Sequence, residues 1–144
     1  MGYVVENSVC LGGRGIYMPS FGFSSSAPVA LPPLVAAFVD ATNSVDLGRL
    51  MGAFADDALV NDQLRDYWGK AAIRRWAERD IIGERLTIAV TKLVKHYENF
   101  IVTADIDGKF DKRGLPDPLV SAFYFTPHDD LLVRLIILHN RRDI

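Results

Sequence analysis

The spacing of apolar residues changes along the chain, from a period of about 3.6 in the first half to a period of about two in the second. Residues 32–43 open with two prolines and continue with apolar residues at helical spacing, which predicts a first helix of about three turns. Asp46 has the position of an N-cap for a second helix. An apolar stripe over residues 70–82 predicts a third helix, with Gly83 as its stop signal.

Between the second and third predicted helices, the stretch FADDALVNDQ fits a short strand in which Ala58, Val60 and Asp62 share one face. Four later segments predict strands, at 86–98, 99–108, 117–126 and 131–140. The sequence PHDD between the last two predicts a hairpin turn. Helices followed by strands predict an α+β fold, with the helices packed on one face of a mainly antiparallel sheet.

Length and composition are typical of a single globular domain, with 144 residues, of which 49% are hydrophobic and 24% charged. A chain of this size buries roughly two thirds of its unfolded surface, which leaves room for a pocket. The net charge of −2 gives no electrostatic reason to expect nucleic acid or an anionic membrane as a partner. No apolar run reaches the ~18 residues of a membrane span, and the first residues lack the basic segment of an export signal.

The single cysteine, Cys10, excludes an intrachain disulfide and a thiolate metal cluster, so we expect a cytoplasmic protein without a cofactor. Residues 1–31 contain five of the eleven glycines and show no sustained periodicity. We expect them to form an N-terminal extension, followed by one domain over residues 32–144. The sequence GGRG at 12–15 lacks the lysine and serine of a P-loop, so it does not predict a nucleotide site.

A family resemblance rests on FADDALVNDQ, the following YWGKAAIRRWAERD and the four strands after them. Over residues 32–142 this arrangement resembles the nuclear transport factor 2-like superfamily, which includes ketosteroid isomerases, polyketide cyclases, scytalone dehydratase and limonene epoxide hydrolase. The resemblance implies a cone-shaped domain whose three N-terminal helices pack on a curved sheet and enclose an apolar cavity. It identifies the superfamily better than any one activity.

The same resemblance places Asp62 where ketosteroid isomerases have their general-base aspartate. Two positions depart from that family, because Phe38 stands where it has an oxyanion-hole tyrosine and Ser121 stands on or near its protonated aspartic acid. Loss of an oxyanion donor costs about 10²–10³ in rate, so steroid isomerisation by that mechanism is not expected. The features that the resemblance to ketosteroid isomerases still implies are the general base and the apolar cavity.

Two carboxylates are candidate catalytic groups, and each has a structural alternative. Asp62 either faces the cavity, where desolvation would make it a stronger base, or caps backbone N–H groups at a strand end. Asp80 lies on or beside the apolar stripe of the third helix, either facing the site or pairing with Arg79 or Arg85 at the edge of the stripe.

His139 is the one histidine for which we predict a functional role. It follows Leu135 and Ile137 at strand spacing, on the face that lines the cavity in the family. It is a candidate proton shuttle, and the alternative is an exposed or backbone-bonded residue at a strand end. His96 and His128 fall in or near turns and are expected at the surface. The spacing of the three histidines matches no metal-binding motif.

Residues on the inward faces of the predicted elements are candidates for ligand contact. The alternative for each is simple packing in the core. The predicted ligand-binding residues are Phe38, Val60, Trp76, Ala104, Ser121, Phe123, Leu135 and Ile137.

Two hypotheses of function follow. The first is a cofactor-independent isomerase, cyclase, dehydratase or hydrolase that acts on a small apolar molecule, with Asp62 as general base and Asp80, Ser121 and His139 as hydrogen-bonding or proton-relay partners. The second is a non-catalytic ligand-binding or dimerisation module of the same fold. The last strand has apolar residues pointing both ways, and in relatives the outer sheet face meets a second subunit, so we expect a homodimer.

Overall fold

A computed structural model of the chain describes residues 29–139. Most of the expected N-terminal extension over residues 1–31, including Cys10 and the GGRG stretch, lies outside the described residues. Within the described range, none of the helices has both the length and the apolar character needed to cross a membrane.

The helices begin and end close to the residues that the sequence predicts. They are α1 (Pro33–Asn43), α2 (Leu47–Gly52) and α3 (Gly69–Trp76), and α3 continues directly into a π-helical turn (Ala77–Ile82). Asp46 is the N-cap of α2, as predicted, because its side chain accepts a hydrogen bond from the backbone N–H of Arg49 at 3.0 Å. The turn after α3 closes with a bond from the N–H of Gly83 to the oxygen of Glu78 at 2.8 Å, five residues back.

Six strands form one sheet. They are β1 (Phe54–Asp62), β2 (Arg65–Trp68), β3 (Thr87–His96), β4 (Asn99–Asp107), β5 (Leu119–His128) and β6 (Leu131–His139). Their spatial order is β2-β1-β6-β5-β4-β3, and only the β1 and β6 pair is parallel. The predicted α+β fold with a mainly antiparallel sheet is therefore confirmed. The strand predicted between the second and third helices is β1, and β2, which was not predicted, also precedes α3, so the three helices are not all N-terminal to the sheet.

Two of the tight turns that connect strands contain two residues each in the left-handed region. The predicted hairpin turn between β5 and β6 is made by Asp129 and Asp130, with φ of +52° and +63°. A second turn, which the sequence analysis did not predict, joins β1 to β2 through Gln63 and Leu64, with φ of +52° and +72°. The parallel pairing of β1 with β6 places this second turn beside the end of β6.

The core lies between the helices and the inner sheet face. Burial alternates along β4, where Val102, Ala104 and Ile106 are buried, as their alternation predicts. The largest fully buried side chains are Trp76, Phe38, Phe54, Phe123 and Phe125. The outer face is different, because its apolar side chains are only partly buried.

Candidate functional site

A cavity of about 330 Å³ opens where the ends of β1 and β6 meet the inner faces of β4 and β5 and the π-helical turn. Its polar lining residues are Asp62, Gln63, Arg65, Asp80, Glu84, Ser121 and His139. Its apolar lining residues are Ile81, Leu86, Ile106, Phe110, Leu119, Phe123 and Ile137. A cleft of this size with apolar walls and a few convergent polar groups has the dimensions of a small-molecule site.

Asp62 is the last residue of β1 and lies partly buried at the cavity wall, in parallel register with Ile137. The indole N–H of Trp76 donates to its Oδ2 at 2.9 Å. The amide Nε2 of Gln63 donates to its Oδ1 at 3.2 Å. Asp62 accepts from side chains here, and no backbone N–H among the described residues is its partner, so it is not a strand-end cap.

Gln63 was not predicted as a site residue, although its side chain bonds to three groups at the cavity wall. Besides Asp62, its Nε2 donates to the backbone oxygen of Ile137 at 3.0 Å, and its Oε1 accepts from the backbone N–H of His139 at 3.1 Å. These bonds join the β1–β2 turn to the end of β6. The sequence does not predict this role, because glutamine is not typical of left-handed turn positions and the turn itself was not expected.

Ser121 and His139 lie directly opposite each other on β5 and β6. The Oγ of Ser121 and the Nδ1 of His139 are 3.0 Å apart and share a hydrogen bond. Ser121 lines the cavity but is only 1% exposed, so little of its side chain is accessible to solvent. Both residues were predicted from inward alternation on their strands, and the fold brings them together at the cavity.

Asp80 lines the cavity and is also paired with its neighbour. Nε and Nη2 of Arg79 donate to its two carboxylate oxygens, each at 2.9 Å. Nη2 of Arg79 also donates to the hydroxyl of Tyr67 at 3.0 Å. The hydrogen bonds and charge of Asp80 raise the pKa of Arg79 above its ordinary value, so the guanidinium stays charged. Asp80 therefore meets both expectations, as a cavity residue and as the partner of Arg79.

The predicted ligand-binding residues fall into two groups. Ser121, Phe123 and Ile137 line the cavity, as do the predicted catalytic residues. Five others are completely buried and are not among the cavity-lining residues: Phe38, Val60, Trp76, Ala104 and Leu135. Trp76 does not line the cavity, but its indole N–H contacts the site through its hydrogen bond to Asp62.

Phe38 packs inside an aromatic cluster. Its ring makes edge contacts with Phe54, Phe123 and Phe125, with centroids 6.2, 6.3 and 5.3 Å away. The position where ketosteroid isomerases have a donor tyrosine is thus part of the core in this chain.

Several lining residues were not predicted from the sequence. Arg65, Glu84, Leu86, Phe110 and Leu119 lie on or near loops, where periodicity does not show which way a side chain points. Ile106 could have been found, because it alternates inward with Val102 and Ala104 on β4.

A second cavity, of about 590 Å³, lies beside the loop 108–118 and shares Ile106, Phe110 and Leu119 with the first. Its polar residues include Asp107 and Lys112, which form an exposed ion pair at 2.7 Å. Although this cavity is larger, it lacks the linked carboxylate, serine and histidine of the first, so we assign the candidate site to the smaller cavity. Over residues 29–139, no group of three or more possible metal-ligating side chains is placed to hold a metal ion.

No protein-family model matches the chain, and no curated protein matches it. Many solved structures are similar to it, among them three with the following values. A polyketide cyclase-like protein from Sinorhizobium meliloti is 28% identical, with a TM-score of 0.68 over 81% of this chain and 100% of that chain. An NTF2-like protein from Cytophaga hutchinsonii is 13% identical, with a TM-score of 0.61 over 76% of this chain and 88% of that chain.

The third structure is a protein with a ketosteroid isomerase-like fold from Catenulispora acidiphila, in complex with trimethylamine. It is 19% identical, with a TM-score of 0.64 over 76% of this chain and 86% of that chain. These likenesses confirm the resemblance, and the chain has the fold of the nuclear transport factor 2-like superfamily.

Proposed function

We propose that the protein binds a small apolar molecule in the cavity beside Asp62 and acts on it as a cofactor-independent isomerase, cyclase or dehydratase. One observation carries this proposal: a carboxylate with both oxygens in hydrogen bonds stands at the wall of a cavity of about 330 Å³. Similarity to polyketide cyclase-like and ketosteroid isomerase-like proteins supports it at the level of the fold. The cavity would be the open end of the cone-shaped domain that the family resemblance implies.

Asp62 would act as the general base. Its two hydrogen-bond partners approach as donors, which leaves a lone pair on each oxygen for a substrate proton. The apolar walls, which include Leu86, Ile106 and Phe123, would hold the carbon skeleton and exclude water from the carboxylate.

The Ser121–His139 pair would bind a polar oxygen of the same molecule. Serine can donate and accept, and a neutral imidazole has one donor and one acceptor nitrogen. The pair can therefore stabilise a carbonyl oxygen that gains charge when Asp62 removes a proton. Asp80 would act at the rim, where Arg79 holds its carboxylate in place.

The substitution Asp62→Asn tests the proposal, because it removes the proton acceptor and keeps the shape of the side chain. General-base catalysis contributes about 10²–10⁴ in rate, so we expect turnover of the accepted substrate to fall by that factor while binding is retained. Asp66→Asn is the matched control, since Asp66 lies on the same hairpin and bonds to Asn61 at 2.6 Å, away from the cavity. Full turnover by Asp62→Asn would contradict the assignment of the base.

The alternative is a non-catalytic ligand-binding or dimerisation module, and two observations favour it. Phe38 offers no donor and is sealed in the core. On the outer sheet face, Tyr124, Ile136 and Leu138 are only partly buried, which suits contact with a second copy of the chain. In this case Asp62→Asn would leave the biological activity intact.

A further inference from the structure

The carboxamide of Gln63 makes three hydrogen bonds from a strained backbone position. Its Oε1 accepts from the N–H of His139, and its Nε2 donates to the oxygen of Ile137 and to Oδ1 of Asp62. The backbone N–H of Gln63 also donates to the oxygen of Ile137, at 3.0 Å. Backbone and side chain together thus extend the pairing of β1 with β6 by one residue.

The orientation of this amide follows from its backbone partners. A backbone N–H can only donate and a backbone carbonyl can only accept, so His139 must face Oε1 and Ile137 must face Nε2. The NH₂ group is then the only part of the amide that can meet Asp62. Since the indole N–H of Trp76 is also a donor without acceptor capacity, both oxygens of Asp62 face donors.

The backbone of Gln63 has a conformation that glutamine rarely adopts. At φ of +52°, a residue with a Cβ atom is strained, and glycine or asparagine is the usual solution in such a turn. Neither residue has a side chain long enough to replace glutamine between Asp62 and the end of β6. The three side-chain hydrogen bonds offset this strain.

We propose that Gln63 is the positioning residue of this site. Its carboxamide sets the rotation of the Asp62 carboxylate and anchors the end of β6, which carries His139. It therefore fixes the base relative to the Ser121–His139 pair on the neighbouring strands β5 and β6. The catalytic meaning of this placement rests on the proposed function, whereas the placement itself can be measured without a substrate.

The chain contains a single glutamine, so labelling with side-chain ¹⁵N-glutamine gives one pair of NH₂ signals in an NMR spectrum. In the ligand-free, full-length protein we expect this pair to be protected from solvent exchange and to shift when Asp62 is replaced in Asp62→Asn. Signals at the positions of free glutamine, or signals that Asp62→Asn leaves unchanged, would overturn the proposal.

The two tryptophans supply a second readout, because the indole signal of buried Trp76 reports on Asp62 and that of Trp68, which is 67% exposed, serves as a reference. Gln63→Gly removes the carboxamide and relieves the turn. We expect it to move the Trp76 signal and to speed its solvent exchange by about tenfold, the effect of losing one hydrogen bond. The control Leu64→Gly relieves the same turn at φ of +72°, and Leu64 does not line the cavity, so it should leave the Trp76 signal in place.

An unchanged Trp76 signal in Gln63→Gly would also overturn the proposal. If Gln63→Gly does not fold, the NH₂ signals of the wild-type protein and of Asp62→Asn decide the question. Once a substrate is identified, Gln63→Gly should lower kcat by about tenfold with little change in KM, because the base is misplaced while the apolar walls are intact. If Asp62→Asn retains turnover but the NMR results hold, the proposed reaction fails and the positioning role stands.

Discussion

The indole N–H of Trp76 donates to the carboxylate of Asp62 across 2.9 Å, which links the last residue of α3 to the last residue of β1. Trp76 is completely buried, whereas Asp62 is only partly buried at the cavity wall. This hydrogen bond thus connects the buried core to the candidate site. The rotamer of a packed indole is fixed by its neighbours, so the acceptor beside it is held as well.

Trp76→Phe should destabilise the protein, because the aromatic packing is largely kept but the donor to a carboxylate is lost and a small cavity remains. We expect the free energy of unfolding to fall by about 2 kcal/mol or more, measured by urea denaturation. The matched control is Trp68→Phe at an exposed position, which should change it by less than about 0.5 kcal/mol. Equal stabilities of the two variants would contradict this account of the Trp76–Asp62 contact.

Phe38→Tyr, which restores the tyrosine of ketosteroid isomerases, should weaken the protein and create no new donor in the cavity. The added hydroxyl would enter the cluster with Phe54 and Phe125, where a buried polar group without a partner costs about 1–3 kcal/mol. Chemical denaturation measures this cost, with Phe100→Tyr at a partly buried ring as the control. A Phe38→Tyr protein as stable as the wild type would show that position 38 reaches a polar partner.

Lys112→Met should change the titration of one exposed carboxylate. Hydrogen bonds from Lys112 and from the backbone N–H of Gly108 hold the pKa of Asp107 below its ordinary value. Without the ammonium group, this pKa should rise toward the ordinary value, as followed by carboxyl ¹³C NMR. Lys109→Met, in the same loop, should leave it unchanged, and an identical midpoint in Lys112→Met would contradict the assignment.

The sign of the associated stability effect follows from the lowered pKa. The pair stabilises the native state above the ordinary pKa of aspartate, and that contribution is lost as the pH falls through the lowered pKa of folded Asp107. Lys112→Met should therefore remove a small stabilisation that the wild type has at neutral pH. Salt should reduce the difference, because both side chains are exposed.

Ile136→Lys should prevent the proposed association through the outer sheet face, because it places a charge among the partly buried Tyr124 and Leu138. Sedimentation equilibrium at micromolar concentration should give a dimer for the wild type and a monomer for this variant. Leu64→Lys, at the tip of the β1–β2 hairpin where Leu64 is 82% exposed, should remain dimeric. A wild-type monomer would contradict the proposed dimer.

The sequence predicted those parts of the fold that depend on local periodicity. The inward alternation of Val102, Ala104 and Ile106 and the N-cap at Asp46 are both confirmed, since each depends on neighbours within a few residues. The strand β2 was missed, because its four residues are too few to show an alternation. The π-helical turn was predicted only as helix, since its longer hydrogen bonds leave no mark in the apolar pattern.

The candidate site was predicted only in part, because its key contacts span most of the sequence. Asp62, Ser121 and His139 could be found from strand alternation and the family resemblance. Gln63 could not, because its partners on β6 are 74 and 76 residues away along the chain. Phe38 shows the reverse case, in which a residue at a family site position is packed into the core.

The central claim is that the cavity beside Asp62 binds a small apolar molecule. Thermal unfolding of the wild-type protein against steroid-, terpenoid- and polyketide-like compounds tests it most directly, since a ligand at 100 times its Kd adds about 2.7 kcal/mol to stability. We predict a rise in Tm of several degrees with at least one class, absent in Leu86→Trp, which fills the cavity, and kept in Leu93→Trp, which does not. No rise with any compound, or an equal rise in Leu86→Trp, would contradict the claim.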